Sequence, residues 1–329
     1  MKVLVIKLSA FGDILSTSPV FSSIRKKVNE LDHLVFENYN IISRQNPHID
    51  ETHTIKKNKL SISFISSLFK TLYKIRKKKY DVCFLFHRSL LLNILLKLSG
   101  VKVIYGFKLS YNKLLKDYVS YDVKKNRTYQ EFDILNLFFI NIPYPKNLEF
   151  YIDDSAITLK ASKEKYIVIA IGGGNIHSDV KNRAWPINKY IEVINALPHY
   201  KIYILGSGKY DLDLIKNINF PTNAHNLIDN TNINEAANLI RGCQYFIGHD
   251  MGLIHLAAAM GANIIGIYGP TNPDLARPLS GNFVTIQSNH YCSPCYNPLH
   301  GKNGQMYKCS DNICMQKIES EQVIKIIKK

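Results

Sequence analysis

Short, uninterrupted apolar runs separated by helix-like stretches constrain this chain more than any other feature. They fall at residues 3–6, 82–86, 167–171, 202–205, 245–247 and 264–268. A strand with one wet face alternates apolar and polar residues. A continuously apolar strand is covered on both faces, which is the habit of parallel sheets flanked by helices. The chain is therefore α/β. The pattern restarts once. Residues 3–6 lead into a small-residue turn and a helix, and residues 167–171 do the same through Gly172-Gly173-Gly174-Asn175. Between them lies Asn141-Ile142-Pro143-Tyr144-Pro145-Lys146, with two prolines and no helical period. This predicts two Rossmann-like domains, 1–155 and 156–329, with parallel sheets facing a central cleft. The last helix is expected to pack back on the first domain.

Composition narrows the class. A hydrophobic share of 46% excludes a disordered or fibrous chain. No apolar run reaches the ~18–20 residues that span a bilayer. The opening apolar stretch is too short for a signal peptide, so a cytoplasmic protein is expected, peripheral on the inner face of the membrane. Charge is uneven. Residues 1–160 carry 26 Lys/Arg against 14 Asp/Glu, or +12, and residues 161–329 carry 16 against 12, or +4. The first half is suited to nucleic acid, an anionic membrane face or an acidic substrate, or its lysines serve solubility alone. Residues 60–79 place apolar side chains at 64, 65, 68, 69, 72, 73 and 75 and end in Arg76-Lys77-Lys78-Lys79. This is either an ordinary surface helix or a basic amphipathic face for anionic lipid.

Several strand-to-helix turns carry chemistry. Lys7-Leu8-Ser9-Ala10-Phe11-Gly12-Asp13 follows the first strand. Gly12 suits a tight turn there. Asp13 fits either a first-turn carboxylate favoured by the helix dipole or a general base where strand ends meet ligands. The three-glycine dinucleotide fingerprint is missing. In the second half, Gly173 lets a ligand approach the backbone. Lys181 and Arg183 suit a phosphate as point charge and fork, or form a solvated loop. Asp211, in Leu205-Gly206-Ser207-Gly208-Lys209-Tyr210-Asp211, fits ribose hydroxyls or a plain turn. Asp250-Met251-Gly252 opens an almost wholly apolar helix, whose free N–H groups suit a diphosphate. Asp250 is placed for sugar hydroxyls. His255 lies one turn further in, as a ligand contact or a satisfied core histidine.

Cys83 and Cys243 sit in apolar runs and read as core. Cys292-x2-Cys295-x13-Cys309-x4-Cys314 has the spacing of tetrahedral metal ligands. The cluster is either a structural zinc or iron site stapling residues 288–314, or a set of reduced packing thiols; a cytosolic setting argues against disulfides.

Taken in order, the KxSxxGD segment at Lys7 to Asp13, the RxWP segment at Arg183 to Pro186, and the D-x-G-x-x-HLAAA-x-G segment at Asp250 to Gly261 with its Gly269-Pro270-Thr271 resemble glycosyltransferase family 9, the lipopolysaccharide heptosyltransferases. The resemblance implies a GT-B fold. It also implies metal-independent, inverting transfer of heptose from ADP-heptose to an anionic, lipid-linked core glycan at the inner leaflet. It makes Asp13 the catalytic base. Arg183, Lys181, Asp250, Met251, Gly252 and His255 become donor-site residues, joined by Gly173 and Asp211. Ser9, Gly12 and Arg88 fall on the acceptor side. Arg183 stands where the family usually has lysine, and Met251 where it has Thr or Ser. In related autotransporter heptosyltransferases a comparable cysteine cluster binds iron. The rival readings are an epimerase-like nucleotide-sugar enzyme, which needs no acceptor, a basic nucleic-acid-binding protein, which lacks a recognised motif here, and an inactive family member acting as a binding partner.

Overall fold

The apolar runs become the inner strands of two six-stranded parallel sheets. The first comprises β1 (Lys2–Ile6), β2 (Glu30–Phe36), β3 (Glu51–Ile55), β4 (Val82–Leu85), β5 (Val103–Phe107) and β6 (Asp117–Val119). The second comprises β7 (Tyr166–Ala170), β8 (Lys201–Leu205), β9 (Ala224–Asn226), β10 (Tyr245–His249), β11 (Ile264–Tyr268) and β12 (Phe283–Gln287). Their spatial orders are β3-β2-β1-β4-β5-β6 and β12-β11-β10-β7-β8-β9. Counted within each sheet, both read 3-2-1-4-5-6, the Rossmann order. Each sheet reverses winding beside its own first strand, between β1 and β4 and between β7 and β10.

The computed structural model describes residues 1–57, 61–109, 111–159, 162, 164–173, 179–300 and 304–329. Gly174 and Asn175 of the glycine turn lie outside them. The chain divides into units Met1–Tyr151 and Ile152–Lys329, four residues earlier than the sequence places the boundary. Hydrogen bonds explain where it falls. Glu149 is held by α1 (Phe11–Ile24), its N–H donating to Ser18 Oγ at 2.8 Å. The Asp153 N–H instead donates to Asn234 Oδ1 at 3.0 Å, inside the second unit.

Period-two alternation along β1 builds two core layers. Val3 and Val5 pack with Phe84, with Phe21 of α1 and with Phe132 of α4 (Arg127–Asn136). Leu4 and Ile6 pack on the other face with Cys83, Leu85 and residues of two helices, α2 (Ile62–Lys78) and α3 (Leu90–Leu98). Each fully buried branched side chain contributes about 1.5–3 kcal/mol. Buried on both sides, β1 is fixed in register, and so is the loop that leaves its end.

In the second unit, α5 (Asp179–Arg183) and α6 (Ile187–Asn195) follow β7, α7 (Lys209–Ile215) follows β8, and α8 (Gly252–Ala259) follows β10. Trp185 is buried between β7 and α6, and its Nε1–H donates to the Ile318 carbonyl at 3.0 Å. The last helix, α9 (Ser320–Ile327), buries Val323 and Ile327 against the same core and lies on α6.

Candidate active site

At the end of β1 the sequence turns from apolar to Lys7-Leu8-Ser9, and α1 begins at Phe11 with an N-cap alanine that gives no side-chain cap. Gly12 is not in a tight turn, as the sequence suggested, but buried within the first helical turn, with its carbonyl accepting from Ser16 Oγ at 3.0 Å. Asp13 follows on that first turn. Its carboxylate accepts from Ser9 Oγ and pairs with Arg127 Nη1 at 2.8 Å. Arg127 is the first residue of α4, whose N-cap, Asn126, accepts from the Thr128 N–H. Thr128 Oγ1 donates to the Ser16 carbonyl at 3.1 Å and ties α4 to α1.

One turn along α4, Glu131 meets Lys7 Nζ at 2.6 Å in a buried pair. Burial alone would push the Lys7 ammonium down, but Glu131 and then Asp13 outweigh it and hold it up. Burial raises the Glu131 carboxyl, with Lys7 pulling against it. Lys7, Glu131, Asp13 and Arg127 thus alternate in sign. Sequence reading quoted Lys7 without assigning it a role and missed Arg127 and Glu131. The available signal was their i, i+4 spacing, which puts both on one face of α4. Arg88 leaves the end of β4 exposed, with its guanidinium 4.5 Å above the Tyr121 ring.

The second unit assembles its residues around its own reversal point. Arg183, ending α5, reaches Asp250 Oδ2 at 3.2 Å with Nη1. Asp250 lies just past β10, and Met251 is the N-cap of α8 without a side-chain cap. Gly252 starts that helix, and His255 is buried within it. Next to them His249 is buried, its Nδ1 3.1 Å from Tyr190 Oη. Burial, then Arg183, lowers His249 to about 4, with Asp250 opposing. His249 is therefore neutral near pH 7. Lys181 is exposed on the same short helix.

Asp211, which the sequence left between ribose hydroxyls and a plain turn, sits inside the turn. It is fully buried, and its two oxygens accept the N–H groups of Gly173 at 3.0 Å and Ser207 at 2.9 Å. It ties the loop after β7 to the loop after β8. The glycines make room for it: a Cβ on Gly172 would lie 1.8 Å from Asp211 Oδ1, and one on Gly206 2.6 Å from Oδ2.

The cysteine-rich segment props these loops. Asn312 Nδ2 donates to the carbonyls of Lys181 and Ala184 at 3.2 and 3.1 Å, and Asn182 Nδ2 to that of Met306 at 2.7 Å. The N–H groups of Cys295 and Tyr296 donate to the Pro270 carbonyl at 2.9 and 2.8 Å. Burial, then Cys292 and Cys309, raises the Cys295 thiol to about 11; burial, then Cys295 and Cys292, does the same for Cys314. The four thiols therefore influence one another, and their soft donor chemistry suits zinc or iron. Their spacing is wider than a closed shell. Among the described residues, the set of three ligand atoms within 4.8 Å of one another is Asp32, Glu51 and His53, whereas thiolates around one ion sit roughly 3.8 Å apart. That acidic set is occupied by a side chain: Lys78 Nζ lies 3.4 Å from Asp32 and 3.0 Å from Glu51. Cys83 and Cys243 are buried, as expected of core thiols.

With this geometry in place, comparison with known proteins is informative. A model of glycosyltransferase family 9 (heptosyltransferase) matches residues 67–302. The first curated matches align over 18% to 30% of their own lengths. Lipooligosaccharide heptosyltransferase 2 of Campylobacter jejuni (serotype O:6, strain 81116) is 23% identical over 345 residues, covering 100% of this chain and 99% of the relative. Among solved structures, the family 9 glycosyltransferase of Veillonella parvula superposes with TM-score 0.83 at 20% identity over 99% of this chain and 96% of that one. Escherichia coli heptosyltransferase WaaC with ADP-2-deoxy-2-fluoro heptose gives 0.72 at 15% identity, over 100% and 99%. The iron-containing dodecameric glycosyltransferase TibC of enterotoxigenic E. coli gives 0.58 at 18% identity, over 99% and 74%. At these identities the structures show the fold, which is GT-B.

Proposed function

Since the chain belongs to glycosyltransferase family 9, we propose that it transfers heptose, with inversion, from ADP-heptose to the core of a lipopolysaccharide or a related anionic surface glycan. The observation that carries the reading is the fixed Asp13 carboxylate. Ser9 and Arg127 set its direction, the buried Lys7–Glu131 pair ties α4 to the loop after β1, and Thr128 ties α4 to α1. Asp13 takes the proton of the acceptor hydroxyl. That oxygen forms its bond to the anomeric carbon while the bond from this carbon to the diphosphate breaks, and the electron pair leaves on the diphosphate. Charge on the leaving group is what the second unit is equipped to meet, through Arg183, Lys181 and the N–H groups at the start of α8. Asp250 accepts sugar hydroxyls once ligand competes for Arg183. Gly252 and Gly173 allow close backbone approach, and His255 completes the wall of the donor pocket. Met251 supplies a backbone N–H in place of a hydroxyl.

Ser9, Gly12 and Arg88 lie on the acceptor half, whose +12 charge suits phosphorylated glycan and the anionic inner leaflet carrying it. The described helices include none long and apolar enough to cross a membrane, so membrane contact in this reading is peripheral. No cofactor enters the transfer step. The four C-terminal cysteines, in this reading, hold a structural zinc or iron once their sulfurs draw together, which metal analysis of the purified protein tests. A thermal-shift panel of ADP, UDP, GDP, CDP and TDP tests the donor. A ligand at a hundredfold excess over its Kd stabilises the fold by ~2.7 kcal/mol. Selective stabilisation by ADP is expected. Selective response to another nucleotide would discard heptose as the donor sugar.

A further inference from the structure

Helix α2 carries two apolar faces, and the core needs only one. Thr71, Leu72 and Ile75 are buried, with Phe64 and Leu68 packed beside them. Lys78 turns inward to Glu30, Asp32 and Glu51, and Thr71 Oγ1 donates to the Thr54 carbonyl at 2.8 Å. These anchors fix the rotation of the helix. They leave a second apolar row, Ile62, Ile65, Phe69 and Tyr73, facing solvent at 88%, 48%, 66% and 59% exposure. Its spacing of three and four residues makes it a continuous stripe.

The neighbouring helix repeats the arrangement. In α3, Leu92 and Leu96 enter the core, while Leu91, Ile94 and Leu98 face outward. Both helices cover the same face of the first sheet. Arg76 Nη1 donates to the Leu98 carbonyl at 3.0 Å, which joins the end of one stripe to the end of the other. Paired outward apolar rows on adjacent helices go beyond the scattered exposed hydrophobics of an ordinary surface.

Charge decides what covers them. Residues 52–116 carry 15 Lys/Arg and a single acidic residue, Asp81. Lys70, Lys74 and Lys77 are exposed beside the α2 stripe, and Lys77 Nζ sits 4.7 Å from the Tyr73 ring centroid. A second copy of the chain would bring the same lysines against them. An anionic bilayer offers hydrocarbon to the rows and phosphates to the lysines.

We propose that the outer faces of α2 and α3 form a docking surface for an anionic lipid bilayer. The apolar rows enter the headgroup–acyl boundary and the flanking lysines lie at the lipid phosphates. The inference deepens the reading of a lipid-borne acceptor, yet its readout needs neither donor nor acceptor, so the two fail separately.

The test is co-sedimentation of the full chain with vesicles of phosphatidylcholine alone, or with about one third phosphatidylglycerol. The wild type is expected on the anionic vesicles and to leave them at high salt. Phe69→Ser with Leu98→Ser should lower the bound fraction at least about tenfold. Lys70→Glu with Lys74→Glu and Lys77→Glu should abolish the preference for anionic vesicles. The circular dichroism spectrum and the melting temperature without ligand should stay close to those of the wild type in both variants, which shows that they fold. Absence of wild-type binding, or equal binding by wild type and variants, would overturn the proposal. So would a wild-type dimer in equilibrium sedimentation that Phe69→Ser with Leu98→Ser dissociates.

Discussion

The two units share a strand order and differ in what they build at its reversal point. In the first, four charged side chains alternate in sign: Lys7 with Glu131 inside, Asp13 with Arg127 further out. In the second, an ion pair, Arg183 with Asp250, sits among glycine-rich turns, where the buried Asp211 carboxylate accepts the N–H groups of Gly173 and Ser207. One scaffold thus supports an ionic site that fixes the direction of one carboxylate and a site framed by backbone hydrogen bonds. The difference lies in the loops and first helical turns rather than in the sheets, which is how a common fold hosts different chemistry.

Breaking the ionic site at its outer member should have the largest effect. Asp13→Asn keeps the shape but removes the proposed proton acceptor, and transfer measured as ADP release with acceptor present should fall by about 10²–10⁴-fold. Breaking the inner pair acts on stability instead. Glu131→Gln leaves the Lys7 ammonium buried opposite a neutral amide, which should cost about 3–5 kcal/mol in chemical denaturation. In the backbone-framed site the matching change is Asp211→Ala. It strands the N–H groups of Gly173 and Ser207, for about 2–4 kcal/mol, and loosens the loop after β7.

A pH series sharpens the contrast. Unfolded, an imidazole protonates near 6.5; folded, His249 does so only near 4. Between those values the unfolded chain binds more protons. The contribution of His249 to stability is therefore full above pH 6.5 and is lost as pH falls toward 4, by roughly 3 kcal/mol. His249→Gln should flatten that part of the denaturation-midpoint curve. His33, which burial and then Lys7 lower to about 3, adds a similar decline in the first unit that extends to lower pH.

The sheets were legible because their strands are apolar on both faces, a pattern that few other structures produce. Asp13 and Asp250 stand out as candidates because each lies where a strand gives way to a helix, and Arg183, at the end of a short helix, stands out by its charge beside Trp185-Pro186. What escaped depended on contacts distant in sequence. Glu131 reaches Lys7 across 124 positions, and Asp211 meets Gly173 across 38. Nothing local distinguishes a carboxylate that will bond backbone from one that will bond sugar. The stripe of residues 60–79 was read as one face. Structure divides it, with Leu72 and Ile75 turned inward and Ile65, Phe69 and Tyr73 outward, because Lys78 and Thr71 fix the helix's rotation.

The central claim is a division of labour: proton transfer in the first unit, donor binding in the second. Calorimetric titration of ADP into the wild type, Asp13→Asn and Arg183→Ala tests it most directly. The account predicts equal affinity for wild type and Asp13→Asn, and at least about tenfold weaker binding by Arg183→Ala, the loss of a charge-assisted contact to phosphate. Equal loss in both variants, or undiminished binding by Arg183→Ala, would contradict it.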